Sequence, residues 1–349
     1  LLTELLSVRQ PGTRVAGVEV VSIKRCGEGI ASTADRMTLD LTYAENPHGV
    51  PARLLLKTML ASPRAPAEMF ATEVRFYDEI RPTIEVETPA CFGTGFDPDS
   101  GQFGLLLEDL AERGARFADA TQVVSVDEVR SLLQQLARLH AAFWESPRFD
   151  GDLAWVATPH AGGMSALLGP IGHDLIADQL ARHPFKVDLL APLGVGFEEL
   201  WATLVDARSV LDLAPVTLLH GDTHVGNTYL LPEGGGLLDW QLQVRGCWAH
   251  DVVYLLSTAL DTEQRRAHGR RLVADYVGEL GRLGVATPPD ADEAWEWCRR
   301  AVVWGLVVGW LICPPANYGM DITVANIERM VAAVGDLDAL AAVAEGPPR

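Results

Sequence analysis

The apolar residues of this chain change rhythm once, near residue 110, and that change limits the folds open to it. Before it, from about Val15 to Leu60, they come in short alternating or β-branched runs broken by Gly and Pro. Val18 to Ile23, Met37 to Tyr43 and Arg53 to Met59 read as strands, and Gln102 to Leu107 as another. One helix interrupts them. Pro66 to Arg81 has helical spacing, with Pro66 suited to the first turn and Pro82 closing it. Beyond residue 110 the pattern is mostly helical. Ser125-Val-Asp-Glu128 is a capping box opening a helix to about Trp144, and 199–212, 249–260, 263–283, 290–313 and 323–344 follow. The stretch 145–195, rich in Gly, Pro and His, fits no period. A chain of 349 residues is too long for one compact core. The expectation is an α+β protein of two lobes. Residues 1–110 form a small β-rich lobe with one key helix, and 111–349 a larger helical lobe. Ligands often bind between lobes.

Composition narrows the partners. Hydrophobic residues at 48% and charged residues at 21% are those of an ordinary folded chain. A net charge of −19 repels phosphate backbones and anionic lipid, so neither nucleic acid nor membrane is an expected partner. A cationic or neutral small molecule is tolerated better. The five cysteines, Cys26, Cys91, Cys247, Cys298 and Cys313, are scattered without a CxxC pair, so neither a zinc site nor a disulfide framework is expected. A reducing, cytoplasmic setting fits them. The longest apolar run, Ala301 to Cys313, is shorter than the ~20 residues that span a bilayer and reads as a buried helix. No signal peptide is evident in a sequence that begins at Leu1.

The helical half is interrupted between Val216 and Trp240. Residues 217–240 read TLLHGDTHVGNTYLLPEGGGLLDW: strand, loop, strand, a Pro-Glu-Gly-Gly-Gly turn, strand. Asp222, Asn227 and Asp239 fall on loop positions framed by apolar strands, a common way to build a site. The plain alternative is a hairpin with polar turns. Phosphoryl transfer requires a carboxylate to orient the attacking hydroxyl and accept its proton. It also requires hard oxygen ligands for magnesium, all in fixed geometry. The protein-kinase loop carries an Asn five residues after its catalytic Asp, and a metal-binding Asp on the next hairpin. Asp222, Asn227 and Asp239 keep that spacing. With His220-Gly-Asp-x4-Asn227 followed by Asp239-Trp240, the chain resembles the aminoglycoside phosphotransferase and choline kinase superfamily from about residue 15 to 315.

The resemblance implies a two-lobed, protein-kinase-like fold, with Asp222 as catalytic base and Asn227 and Asp239 as magnesium ligands. It implies that His220 braces the loop through hydrogen bonds. Thr223 and Val225 occupy variable positions. Asp251 opens an apolar helix, where a carboxylate is favoured by the backbone N–H groups; the resemblance adds a role bracing the catalytic loop. A protein kinase proper is argued against by the Asp-Trp pair in place of Asp-Phe-Gly and by the lack of an Ala-Pro-Glu segment.

Upstream, Lys57 closes Arg53-Leu-Leu-Leu-Lys57, and a lysine inside a buried strand needs a counter-charge. Phe70, Glu73, Tyr77 and Ile80 share one helical face, so Glu73 is the candidate partner. Such a pair turns the lysine toward the α- and β-phosphates of ATP or GTP in kinases. Gly27 and Gly29, with Ser32 or Thr33, form a candidate phosphate-binding turn, although Ser32 stands where a third glycine would complete the pattern. The run Leu105 to Leu110 resembles the family's hinge, with Glu108 and Asp109 at the adenine edge. His140 shares an apolar face with Leu133, Leu136 and Phe143 and reads as a satisfied core histidine. The string Leu139 to Trp144 resembles the ecdysteroid-kinase-like branch. The resemblance builds the acceptor pocket from about 145–200 and 260–320. Among the nine tryptophans, most are core, and one or two are candidates to line that pocket against an amphipathic alcohol. The expected function is a small-molecule kinase acting on an antibiotic, an amino alcohol or a sterol-like metabolite. The alternative is a non-catalytic nucleotide-binding protein on the same scaffold.

Overall fold

The alternating runs before residue 110 pair into one five-stranded antiparallel sheet in the computed structural model, which describes residues 2–26, 33–60, 66–159, 165 and 169–348. Helix α1 (Leu2–Ser7) precedes β1 (Arg14–Lys24), β2 (Asp35–Glu45), β3 (Arg53–Thr58), β4 (Cys91–Phe96) and β5 (Phe103–Glu108). The order is β1-β2-β3-β5-β4, with β3 central. Strand β4, Cys91-Phe-Gly-Thr-Gly-Phe96, has no strand periodicity in its sequence; it is an edge that needs only β5 as partner.

Alternation along β3 gives its two faces different jobs. Leu54 and Leu56 join Leu6, Leu39 and Leu106 on the side of α1. Leu55 and Lys57 face helix α2 (Ala67–Arg75). Phe70 of α2 stacks on Phe103 of β5 with ring centroids 4.4 Å apart. The expected helix 66–81 is α-helical only to Arg75. It widens into a π turn at 76–80, and Phe76, Tyr77 and Ile80 stay buried.

Helix α3 (Val126–Ala142) carries the expected capping box in both directions. Helices α4 (Pro170–Arg182) and α5 (Pro184–Leu190) occupy the stretch without a readable period, and α6 (Phe197–Leu211) follows. Then come β6 (Val216–Leu219), β7 (Thr228–Leu231), β8 (Gly234–Leu237) and β9 (Val244–Cys247), with β6 paired to β9 and β7 to β8. The remainder is helical: α7 (Ala249–Ala259), α8 (Thr262–Arg282), α9 (Ala291–Ala301), a π turn at 305–311, α10 (Pro315–Tyr318), α11 (Met320–Asp336) and α12 (Ala339–Ala344).

Two expectations are corrected. The three glycines 234–236 are strand β8, and the turn is Pro232-Glu233 alone. A Cβ on Gly235 would lie 2.4 Å from Leu132, and one on Gly236 would lie 2.2 Å from the Tyr229 ring. Glycine is what lets this hairpin lie flat on α3. Second, the length argument predicts two separate cores. Instead the main apolar cluster runs from Phe70 and Leu105 through Phe76 and Trp240 into the helices. Trp240 makes the join. Its ring stacks on Phe76 at 3.8 Å, and its Nε1 donates to Thr88 Oγ1 at 3.0 Å. Two small clusters stand apart among the described residues, one behind the sheet and one of Leu110, Tyr229 and Leu231.

Candidate active site

Strand β6 ends at Leu219, and the next three residues turn sharply. Gly221 has φ +83°, and a Cβ there would lie 2.0 Å from the Leu242 carbonyl oxygen. Only glycine fits. The loop so formed is clamped from behind. Asp251, in the first turn of α7, accepts from the N–H groups of His220 (2.7 Å) and Gly221 (2.9 Å). His140 Nε2 lies 3.2 Å from the same carboxylate, and His140 Nδ1 lies 2.6 Å from the Tyr276 hydroxyl. His140 is thus a satisfied core histidine. Burial pushes Asp251 up, but the His140 hydrogen bond and the neighbouring imidazoles outweigh it and hold it below the usual carboxylate range. Both expectations for Asp251 describe one arrangement.

His220 ties the loop to the strand that precedes Asp239. Its Nε2 donates to the Leu238 carbonyl at 3.0 Å, and its Nδ1 accepts from Asp222 N–H at 3.3 Å. Asn227 Nδ2 donates both to the Asp222 carbonyl and to Asp222 Oδ2, each at 2.9 Å. Both bonds use the amide nitrogen, which leaves the amide oxygen for a ligand. His224 Nδ1 accepts from Gly226 N–H at 3.1 Å, and its Nε2 lies 3.8 Å from Asp222 Oδ2. Burial and the charge of Asp239 raise Asp222 to about 8, against a smaller opposing effect of Asn227.

Across the cleft, Lys57 Nζ meets both Glu73 carboxylate oxygens, at 2.9 and 2.7 Å, and Asp239 Oδ1 at 3.1 Å. Burial disfavours the ammonium, but Asp239 and Glu73 together raise its pKa. Glu73 is raised by burial, with Lys57 pulling the other way. Asp239 is held below its usual value because Lys57 outweighs burial. Asp239 also adopts φ +68°, a left-handed conformation rare outside glycine. Gln241 Nε2 donates to Glu73 Oε2 at 3.2 Å, and Thr33 Oγ1 bonds to Gln241 Oε1. Sequence reasoning missed Gln241; its one signal is a polar residue directly after Asp239-Trp240.

Lys57, Glu73, Asn227 and Asp239 therefore line a single cleft of about 720 Å³, and Asp222 reaches it through Asn227. Glu108 and Asp109 lie on its rim. Glu108 is tied to Ala90 in both directions, its N–H donating to the Ala90 carbonyl and its carboxylate accepting from Ala90 N–H. Asp109 caps the short turn that follows through Ala111 N–H. Gly27, Gly29 and Ser32 lie outside the described residues. The opposite wall is His224, Trp310, Tyr318, Ile322 and Asn326. No described residue of 145–200 lines the cleft. That segment instead supports the wall from behind. Lys186 of α5, fully buried, donates to the carbonyls of Leu311 (2.8 Å), Cys313 (2.7 Å) and Trp310 (3.4 Å).

An antiparallel sheet with a buried Lys–Glu pair, closed against a mostly helical remainder, is a protein-kinase-like fold. The chain belongs to the phosphotransferase enzyme family APH, which matches residues 44–284. Among solved structures it is similar to the GDP and kanamycin complex of APH(2")-IIIa, at 13% identity and a TM-score of 0.53, covering 96% of this chain and 98% of that one. It is also similar to a choline kinase from Cryptosporidium parvum, at 10% identity and a TM-score of 0.52, covering 98% and 96%. An ethanolamine kinase from Plasmodium vivax aligns at 11% identity and a TM-score of 0.51, covering 91% and 81%. These likenesses are likenesses of fold. No curated protein matches the chain.

Proposed function

We propose that this phosphotransferase is a small-molecule O-kinase that moves the γ-phosphoryl group of ATP or GTP onto an acceptor hydroxyl. Residues 1–110 form its nucleotide lobe, and 111–349 carry the catalytic loop and the acceptor pocket. In this reading Asp222 orients the acceptor hydroxyl and takes its proton. A carboxyl with a pKa near the working pH suits that task, and Asp222 is raised to about 8. Lys57, steered by Glu73, meets the α- and β-phosphates. Gly27, Gly29 and Ser32 cradle the phosphates, and the backbone at Glu108 and Asp109 meets the base. The GDP bound in the APH(2")-IIIa complex is consistent with either nucleotide here.

The donor set fits magnesium. Asp239 is anionic with 19% of its side chain exposed, and Asn227 presents an amide oxygen. One or two such ligands plus substrate phosphates are what this ion usually takes. Asn227 and Asp239 would hold the ion, which would supply positive charge against the charge developing on the transferred phosphoryl group. A cytoplasmic setting fits the five scattered cysteines.

The observation that carries this reading is the convergence of two networks on one cleft. Asn227 is bonded to Asp222, and Lys57 bridges Glu73 and Asp239. A non-catalytic nucleotide binder would not need the Asp222 carboxylate beside that metal site. Asp222→Asn is therefore expected to lower turnover by about 10²–10⁴-fold. Calorimetry should find magnesium–nucleotide affinity within a few fold of wild type. Near wild-type turnover in this variant would exclude Asp222 as the base.

A further inference from the structure

The wall opposite the sheet has a chemistry of its own. Trp310 and Tyr318 lie with ring centroids 4.9 Å apart, and at 5.6 and 5.8 Å from the His224 imidazole. His224 Nε2 is in turn 3.8 Å from Asp222 Oδ2. The aromatic surface thus begins where an acceptor hydroxyl would lose its proton. Ile322 extends it along α11, and Asn326 lies one helical turn further on.

Asn326 is the side-chain amide of this wall, and its oxygen is a buried acceptor. It is 1% exposed. Its Nδ2 donates to the Ile322 carbonyl at 2.9 Å, whereas its Oδ1 has no hydrogen-bond partner among the described residues. A buried acceptor left without a donor costs about 1–3 kcal/mol, and such atoms call for a reason. A ligand supplying the donor is one.

The wall carries no carboxylate. The acidic residues lining the cleft beyond Glu73 and Asp239 are Glu108, Asp109 and Asp119, along the segment that follows β5. Each already accepts from a backbone N–H, of Ala90, Ala111 and Thr121 respectively. Nor do the rings frame a cation. His224 meets Trp310 at 76° and Tyr318 at 80°. In each edge-to-face contact the edge of one ring covers a face of the other, which leaves fewer open faces for an ammonium.

We propose that the acceptor is an uncharged, predominantly apolar alcohol with a second hydrogen-bond donor. Its body lies on Trp310, Tyr318 and Ile322, and its donor bonds to Asn326 Oδ1. This rests on the kinase reading above. In the step, the acceptor O–H bond breaks and its proton passes to Asp222. The acceptor oxygen bonds to the γ-phosphorus as the β–γ bridging P–O bond breaks, and the nucleoside diphosphate leaves.

The test compares estradiol, its 3-O-methyl ether, choline, ethanolamine and kanamycin as acceptors, with magnesium–ATP and magnesium–GTP and with nucleoside diphosphate release as readout. Calorimetry of estradiol binding, with a non-hydrolysable nucleotide present, runs in parallel. Estradiol is expected to bind, and its kcat/KM to exceed that of choline and kanamycin by about 100-fold. Asn326→Leu is expected to lower kcat/KM for estradiol by about 10- to 100-fold. The same variant should leave the methyl ether, which lacks the donor, within about threefold. A merely structural role would depress both acceptors equally, and that result overturns the role given to Asn326. Turnover of kanamycin or choline with estradiol inert overturns the acceptor class and leaves the kinase reading standing. Absence of estradiol binding also overturns the class. Binding without turnover of any acceptor upholds the class and overturns the kinase reading.

Discussion

Asp239 lines the cleft and Asp222 stands behind Asn227, yet their surroundings push the two carboxyls apart, which is how acid and base roles are separated. Burial and the charge of Asp239 lift Asp222 from 3.8 to about 8, while Lys57 holds Asp239 below its usual value despite burial. A base acts in its deprotonated form, so kcat/KM is expected to rise with pH through about 8 and level off above it. A pH profile from 6 to 9 measures this, and a flat profile would refute the assignment. At this scale the spacing of Asp222 and Asn227 was readable because one loop carries both. Gln241 and Asn326 were not, because an amide in an apolar run looks like any solvated position. Only their neighbours, Glu73 for one and an empty acceptor position for the other, give them a part.

At the scale of elements, helix α5 shows how an unreadable segment can serve the site without touching it. Its Lys186 binds three carbonyls at the end of the 305–311 turn, the backbone that carries Trp310. An ammonium suits the carbonyl end of a helical turn, although burial lowers this one to about 8. Lys186→Met leaves those carbonyls without their donor and is expected to destabilise the protein by about 2–4 kcal/mol. The acceptor KM should rise several-fold, with nucleotide affinity unchanged. Urea unfolding and steady-state kinetics check both, and an unaltered acceptor KM would show that the turn holds its shape unaided. The string Leu139 to Trp144 has a local explanation as well, since His140 within it holds both Asp251 and Tyr276.

Across the whole molecule, the loop 220–227 sits in one continuous core, and burial disfavours the charged form of the histidines in and beside it. Burial lowers the pKa of His220, His224 and His250, that of His224 from 6.5 to about 4. The geometry agrees: His224 Nδ1 is already an acceptor for Gly226 N–H. Between pH 6.5 and 4 the unfolded chain therefore binds protons that the fold refuses. This contribution is complete above 6.5 and is lost as pH falls toward 4, with His224 alone accounting for about 3 kcal/mol. Asp222, raised to about 8, acts in the opposite sense over this range, so the histidine part is read as a difference: in denaturant unfolding at pH 7.5, 6 and 5, His224→Gln should lose less stability than wild type as pH falls. Equal losses in both proteins would assign the acid sensitivity elsewhere.

What the sequence determined by itself is what acts over a few residues. The switch from a period of two to one of 3.6 near residue 110 specified sheet and helices, the capping box opened α3, and the loop spacing marked Asp222 and Asn227. What only the tertiary structure decided are meetings between distant segments. These include Lys57 against Asp239, Gln241 beneath Glu73, β9 beside β6, Lys186 behind Trp310, and the core made continuous by Trp240 on Phe76. The physical reason is range. Propensity, capping and turn chemistry are set by neighbours in the chain, whereas burial and charge pairing are set by whichever surfaces the collapsed chain brings together.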